Sequence, residues 1–247
     1  MCGRSIGTCA GCSPPRRDVR CRWLDDRRDA SQCRSTRSRS RGRLQDRGTE
    51  NRAWPPRSTG RSGRIPMMVP ESRLEPTEHG LVPQGEGWFV LNAREARWRP
   101  GEGRGAYCGF EGEPEFSQLG IHLVALAPGE PMAMYHWEAD QVDFLVLAGH
   151  ALLIVEGEER PLRRWDFVHC PAGTKHVIVG AGDAPCLVLA VGARDRSVGP
   201  DWGGYSVDEA ALRHGAGVEQ ETTEPDVAYA RFPERQPSRY REGWIPG

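Results

Sequence analysis

Between positions 86 and 191 the apolar residues fall into short runs, and almost every run is closed by glycine or proline. Runs of this length with period-two alternation read as strands rather than helices. The segments 88–91, 106–110, 119–126, 132–138, 142–147, 151–155, 166–170, 175–179 and 186–191 are each predicted to be extended. In 119–126, Leu119, Ile121, Leu123 and Ala125 share one face, and Pro128-Gly129 turns the chain. Glu156-Gly157-Glu158-Glu159 reads as a hairpin turn, because Gly157 can take the positive φ such turns require. No long helical period separates the strands. The pattern therefore predicts an all-β antiparallel sandwich or barrel and excludes a nucleotide-binding parallel sheet. No apolar run is long enough for a membrane-spanning helix.

Two of these strands, 151–155 and 187–191, are apolar at odd and even positions alike. Both of their faces should be covered. One lines the barrel; the other needs a helix, a terminal segment or a second subunit, and a homodimer is expected on that ground. After the barrel, Ser206-Val-Asp-Glu209 reads as a capping box opening a short helix through Leu212, with Gly215 as its stop. A further helical turn or two is expected over 225–232. The helical segment thus spans 206–232, after a barrel at 86–195.

Charge divides the chain. Residues 1–66 carry 17 Arg against six acidic residues, a net +11, so the −1 of the whole chain leaves −12 for 67–247. Almost no apolar residue in 1–66 recurs at a structural period, which predicts a disordered Arg-rich extension. Five of the eight cysteines lie there; Cys9 and Cys12 form a C-x2-C, but no histidine and no further zinc spacing accompany it. The run 34–43 could neutralise phosphates, yet few aromatics are interleaved for stacking and the rest of the chain is acidic. Nucleic acid is not expected as a partner. With 32 Arg and only Lys175 in the chain, the gene reads as GC-rich. Translation is expected to begin at Met67 or Met68, where the composition changes, leaving 67–247 as the functional domain. Neither a secretory apolar core nor an acid-poor transit peptide is present, and a cytoplasmic location is expected.

The chemistry concentrates in 129–180. His136 and Glu138, two apart on a strand, point to one face, and Val142 has the same parity. Pro171-Ala-Gly-Thr-Lys-His176 sets a second histidine just after a tight turn. Two imidazoles and a carboxylate converging in a barrel would suit a divalent metal such as iron, manganese, nickel, copper or zinc, with positions left open for substrate. Other candidates read as structural. His122 lies opposite the apolar parity of its strand and reads as a surface or packing residue, and His150 as a polar turn residue. Cys170 reads as a buried inert thiol, Asp166 as a cap for turn amides, and Trp137, Met132 and Met134 as packing residues. Tyr135 should point away from the cavity.

These residues resemble the cupin superfamily. Its first motif, Gly, H-x-H, three or four residues, Glu, six residues, Gly, is met in spacing by His136, Glu138, Val142 and Gly149. Its second, Gly, five residues, P-x-G, two residues, His, three residues, Asn, falls on Trp165, Pro171, Gly173, His176 and Gly180. The stretch 119–192 is similar to small bacterial single-domain cupins. The resemblance implies a jelly-roll barrel that binds a divalent metal (Fe, Mn, Ni or Zn) and a small-molecule ligand. Its metal residues here would be His136, Glu138 and His176, in an oxygenase or isomerase of unassigned substrate. Two of the family's four ligand positions differ, with Glu138 for a His and Val142 for the Glu. Asp140 or Gln141 could supply the missing ligand if the strand bulges. The alternative is a non-catalytic ligand-binding cupin with a degenerate metal site.

Overall fold

The computed structural model describes residues 68–195 and 201–246. The expected Arg-rich extension at 1–66 lies outside the described residues. Thirteen strands run in the order β1 (Arg73–Thr77), β2 (Gly80–Gln84), β3 (Trp98–Gly101), β4 (Arg104–Gly109), β5 (Leu119–Leu126), β6 (His136–Glu138), β7 (Val142–Ala148), β8 (His150–Val155), β9 (Glu158–Arg163), β10 (Phe167–Cys170), β11 (His176–Ala181), β12 (Cys186–Ala193) and β13 (Gly203–Tyr205). Two short helices follow, α1 (Glu209–Arg213) and α2 (Pro225–Ala228). The protein is an all-β jelly roll. One sheet has the order β10-β7-β12-β5-β4-β3, the other β13-β6-β11-β8-β9, and β1-β2 form a separate hairpin.

The main core lies between the two larger sheets. Val142, Phe144 and Val146 of β7, Val188 and Ala190 of β12, and Val124 and Leu126 of β5 meet Ile178 of β11 and Leu153 of β8. Each large apolar side chain so buried contributes about 1.5–3 kcal/mol. On β5, positions 122, 124 and 126 face the interior, while Leu123 and Ala125 pack outside against Trp98. The alternation read from the sequence is present, but its apolar face is the outer one. His122 is accordingly buried, not on the surface.

Strands β3 and β9 contain Pro100 and Pro161, which cannot donate to a ladder, and both lie at sheet edges, where no donor is needed. By contrast 88–91 is not a strand. Trp88 exchanges backbone bonds with Pro70 and Ser72 (Trp88 N to Pro70 O 3.1 Å, Ser72 N to Trp88 O 2.8 Å), and Val90 is exposed. No further ladder partner extends that contact.

The outer face of β8 is covered from within the chain. Ile154, Val177 and Val179 pack beneath Tyr135, Ala210, Ala211 and Ala216. Helix α1 is capped by Asp208, whose side chain accepts from Ala211 N at 2.8 Å, rather than by Ser206, which is buried two residues earlier. Gly215 ends the segment at φ 65°, as its left-handed stop requires. Helix α2 is a single turn.

Candidate functional site

Strand β6 is only three residues long, held between β11 through the His136–His176 pair and β13 through three consecutive pairs. Period two puts His136 and Glu138 on one face, and both are buried, with Trp137 between them less so. His176 opens β11 directly after the turn 171–174. There Gly173 takes φ 85°, and its amide donates to the Glu138 carbonyl at 2.7 Å. The Pro-x-Gly turn is therefore fastened to the strand that carries the first histidine.

Both imidazoles are oriented in the same way. His136 Nδ1 lies 2.7 Å from the Met134 carbonyl and His176 Nδ1 lies 2.9 Å from the Thr174 carbonyl, in each case two residues earlier. A carbonyl only accepts, so Nδ1 carries the hydrogen in both rings and the neutral ring presents its lone pair at Nε2. His136 Nε2 stands 3.2 Å from Glu138 Oε1. Two acceptors at that distance need a proton or a cation between them. His176 Nε2 is buried and has no hydrogen-bond partner. Burial, with the neighbouring His136 second, pulls the His176 imidazole down to about 3, against a smaller opposing effect of the Thr174 carbonyl. It is neutral at physiological pH.

The structure sets His136, Glu138 and His176 near one another on β6 and β11. The two rings are 4.8 Å apart at their centroids. Only His136 and Glu138 are in polar contact, and among the described residues no three His, Cys, Asp or Glu side chains are grouped as around a metal ion. Val142 points inward, as its parity requires, and is 2% exposed among Phe144 and Val146. The β7–β10 register runs unbroken from Val142 to Leu145, so there is no bulge there. Gln141 is exposed and donates to Asp143 at 2.7 Å; Asp140 is buried in the turn before β7.

Residues outside the barrel strands complete the surroundings. Tyr205 and Trp202, from the segment forming β13, set their rings 5.9 and 6.4 Å from His136, and Phe144 lies 5.3 Å from His176. Tyr229, beyond them, accepts from Met134 N at 3.2 Å, so it holds the residue whose carbonyl orients His136. Nothing in the local sequence marks this. Gly203-Gly-Tyr205 is too short to read as a strand, and only its pairing with β6 gives Tyr205 a place.

The remaining candidates behave as structural residues. Asp166 accepts from Arg163 N at 2.9 Å, within its turn. The thiols of Cys108, Cys170 and Cys186 are buried and free, and burial pushes them up to about 12, 11 and 11. His169 is exposed and paired with Asp143 at 2.7 Å. Tyr135 faces outward from the barrel, its hydroxyl accepting from Gly157 N at 3.1 Å.

Residues 122–192 match the family described as the cupin domain. The chain carries a cupin domain. Among solved structures, a provisionally assigned sugar phosphate isomerase of Acidithiobacillus ferrooxidans is 30% identical over 31% of this chain and 51% of its own, with a TM-score of 0.30. A cupin-superfamily sugar phosphate isomerase of Silicibacter pomeroyi is 27% identical over 42% of this chain and 75% of its own, at 0.39. A Cupin 2 conserved barrel domain protein of Salinispora arenicola is 19% identical over 47% and 94%, at 0.37. The match thus spans about half the length of the first of these proteins. No curated protein matches the chain. Within this cupin domain both β6 and β11 supply a histidine to the interior, while the position of the family's glutamate is filled by the core residue Val142. No helix among the described residues is long and apolar enough to cross a membrane.

Proposed function

We propose that this cupin domain binds a divalent metal through His136 and His176, with Glu138 as third ligand, and takes a small-molecule ligand beside it. The observation that carries this reading is the shared orientation of the two imidazoles. Each is held by its Nδ1 hydrogen on a carbonyl, the outer-shell arrangement that fixes a metal-binding tautomer. Each offers an Nε2 lone pair into the barrel, one against a carboxylate and one with no partner. A buried nitrogen left without a hydrogen bond costs about 1–3 kcal/mol, and an ion would relieve both this and the facing acceptors. A bound metal would supply Lewis acidity towards an oxygen of the ligand.

In this reading the protein's own groups do the rest. Phe144 and Tyr205 exclude water around the imidazoles, and Glu138 balances charge and can hold a proton on Oε1. The substrate could be that of an oxygenase or an isomerase. We place the protein in the cytoplasm, with the domain beginning near Met67. A homodimer would use Leu145, Leu189 and Val191, which remain half-buried on the outer face, together with exposed Phe167.

One observation favours a second reading, a ligand-binding domain without turnover. Val142 is packed into the core and offers no donor. Elemental analysis of protein purified without an affinity tag, followed by cobalt(II) titration of the metal-free form, separates the two. Near-stoichiometric metal supports the first reading. No metal and no cobalt absorption band supports the second.

A further inference from the structure

The two larger sheets have four margins between them, and three are blocked. At β3, Trp98 and Ser238 exchange backbone bonds of 2.9 and 2.8 Å. At β13, Tyr205 and Thr222 do the same at 2.8 and 3.2 Å. Strand β9 carries Pro161 among Glu158, Glu159, Arg160 and Arg163, and proline and charge both keep a further strand away. The fourth margin, β10, has none of these devices. It reads Phe-Val-His-Cys, without proline, carboxylate, lysine or arginine, and no described residue pairs with its outer side.

The neighbouring ladders show which β10 backbone groups point outward. Ala193 N donates to the Gln141 carbonyl at 2.9 Å, so the odd positions of β7 bond to β12 and its even positions to β10. Val146 N accordingly donates to the Asp166 carbonyl at 3.1 Å. Val168 and Cys170, opposite Phe144 and Val142, are therefore the β10 residues bonded to β7. The N–H and C=O groups of Phe167 and His169 face away from the sheet. Their side chains lie on its outer face, Phe167 64% exposed and His169 paired with Asp143.

We infer that β10 is the seam of a homodimer, pairing antiparallel with β10 of a second copy about a two-fold axis at Val168. This rests on the homodimer reading and names the strand and register it uses. Such an axis sets Phe167 opposite the partner's His169 and His169 opposite the partner's Phe167. These are the two residues with outward backbone groups, so four N–H···O bonds form, two from each copy. A second copy brings the matching spacing by symmetry. The side chains agree with this register. Phe167 lies beside the partner's His169 and diagonally next to the partner's Phe167, within reach of an aromatic ring. The apolar row Leu189–Leu145–Phe167 then continues from one copy into the other. Trp165, 62% exposed, stands just before the strand. The exposed parts of the two rings offer about 250 Å² per copy, and β10 adds only a four-residue edge. That is below the area of about 800 Å² per partner in a standard stable complex, so the pairing is reversible.

The test is sedimentation velocity of the full chain under reducing conditions from about 1 to about 500 μM, the span of a weak interface. Residue-resolved amide exchange is measured at both ends of the range. The mass should rise from monomer towards dimer. The Phe167 and His169 amides should exchange about tenfold more slowly once about nine-tenths of the chains are paired. The Val168 and Cys170 amides, bonded to β7, should be slow at both concentrations. Phe167→Lys puts a charge at the seam, and His169→Pro removes an outward N–H but no bond to β7. Each should keep the chain monomeric at the higher concentration, with Tm within about 2 °C of the unmodified protein. A dimer whose Phe167 and His169 amides exchange freely, or one that both variants leave intact, overturns this inference and leaves the homodimer reading standing. A monomer at every concentration overturns both.

Discussion

His136 and His176 are paired across β6 and β11 with their ring centroids 4.8 Å apart, and each imidazole is aimed by the carbonyl two residues before it. The arrangement is imposed by backbone, so it persists whether or not anything occupies the space between the rings. Changes to the side chains around it should therefore alter binding without redirecting the two nitrogens.

The most direct consequence concerns Val142. Its side chain lies on the interior face of β7 in an unbroken register, so Val142→Glu would add a carboxylate to the wall facing the imidazoles. We expect it to tighten cobalt(II) binding, measured by titration of the metal-free protein, by about tenfold or more. His176→Ala should abolish binding and His136→Ala should weaken it severely. Because burial holds the His176 imidazole down at about 3, protons should compete for its Nε2 only well below pH 6.5, and occupancy at that nitrogen should persist into the acid range. Unchanged affinity in Val142→Glu, with lowered stability, would reject Glu138 and its neighbours as a site one ligand short.

Stability should depend on pH through His122. Its folded pKa is about 3 against an ordinary 6.5, so between these values the unfolded chain holds a proton that the folded chain does not. Stability is then complete above about pH 6.5 and declines as pH falls towards 3, by about 1.4 kcal/mol per pH unit for one proton. His176 adds a second proton in metal-free protein. Urea midpoints between pH 7 and 4 should show this slope, and His122→Gln should reduce it by one proton's worth. An unchanged slope in that variant would mean His122 is already protonated in the fold.

Trp165 is a bulky exposed residue at φ 76°, at the position where the related motif has glycine. A side chain in this region is strained by about 1–2 kcal/mol, while the Arg164 guanidinium, 4.6 Å from the ring centroid, recovers part of it. Trp165→Gly should raise stability by about 0.5–1 kcal/mol after the entropy of glycine is included. Equilibrium urea unfolding measures it, and a loss of stability would show that the ring's contacts outweigh the strain.

Alkylation should find three unreactive thiols. With pKa values pushed to about 11 or 12 by burial, Cys108, Cys170 and Cys186 hold almost no thiolate at pH 8. Peptide-resolved iodoacetamide labelling should leave them unmodified in the folded protein and modify all three in guanidinium chloride. Labelling of Cys170 without denaturant would mean that the β10 edge opens readily.

Much of this was legible in the sequence where one face of a strand meets the core. Segments 119–126, 142–147 and 151–155 announce themselves by apolar alternation, and the offset from Pro171 to His176 carries both the turn and the histidine. Strands β3 and β9 were hidden because Pro100, Pro161 and the charges of Glu158-Glu159-Arg160 read as loop. They are strands because edges tolerate what interiors do not. His122 does lie on the face opposite Leu123 and Ala125, but that face is the interior one, because both sides of β5 are buried and alternation alone cannot say which is the inside. Trp202, Tyr205 and Tyr229 were invisible as site residues because their nearness to His136 arises from pairing between strands 65 or more residues apart, which no local pattern records.

That last pairing has a bearing on how the molecule is made. Until Gly203–Tyr205 has left the ribosome, the three residues bearing His136 and Glu138 form an open margin of their sheet, held by a single pair to β11. The barrel core can close first, around β5, β7, β8, β11 and β12, all of which are complete by Ala193. The margin bearing His136 and Glu138 can be completed only once Gly203–Tyr205 is available to pair with it. A nascent chain stalled before Gly203 would lack the strand that pairs with His136–Glu138, and a tag or fusion that holds back this segment would leave the same margin unpaired.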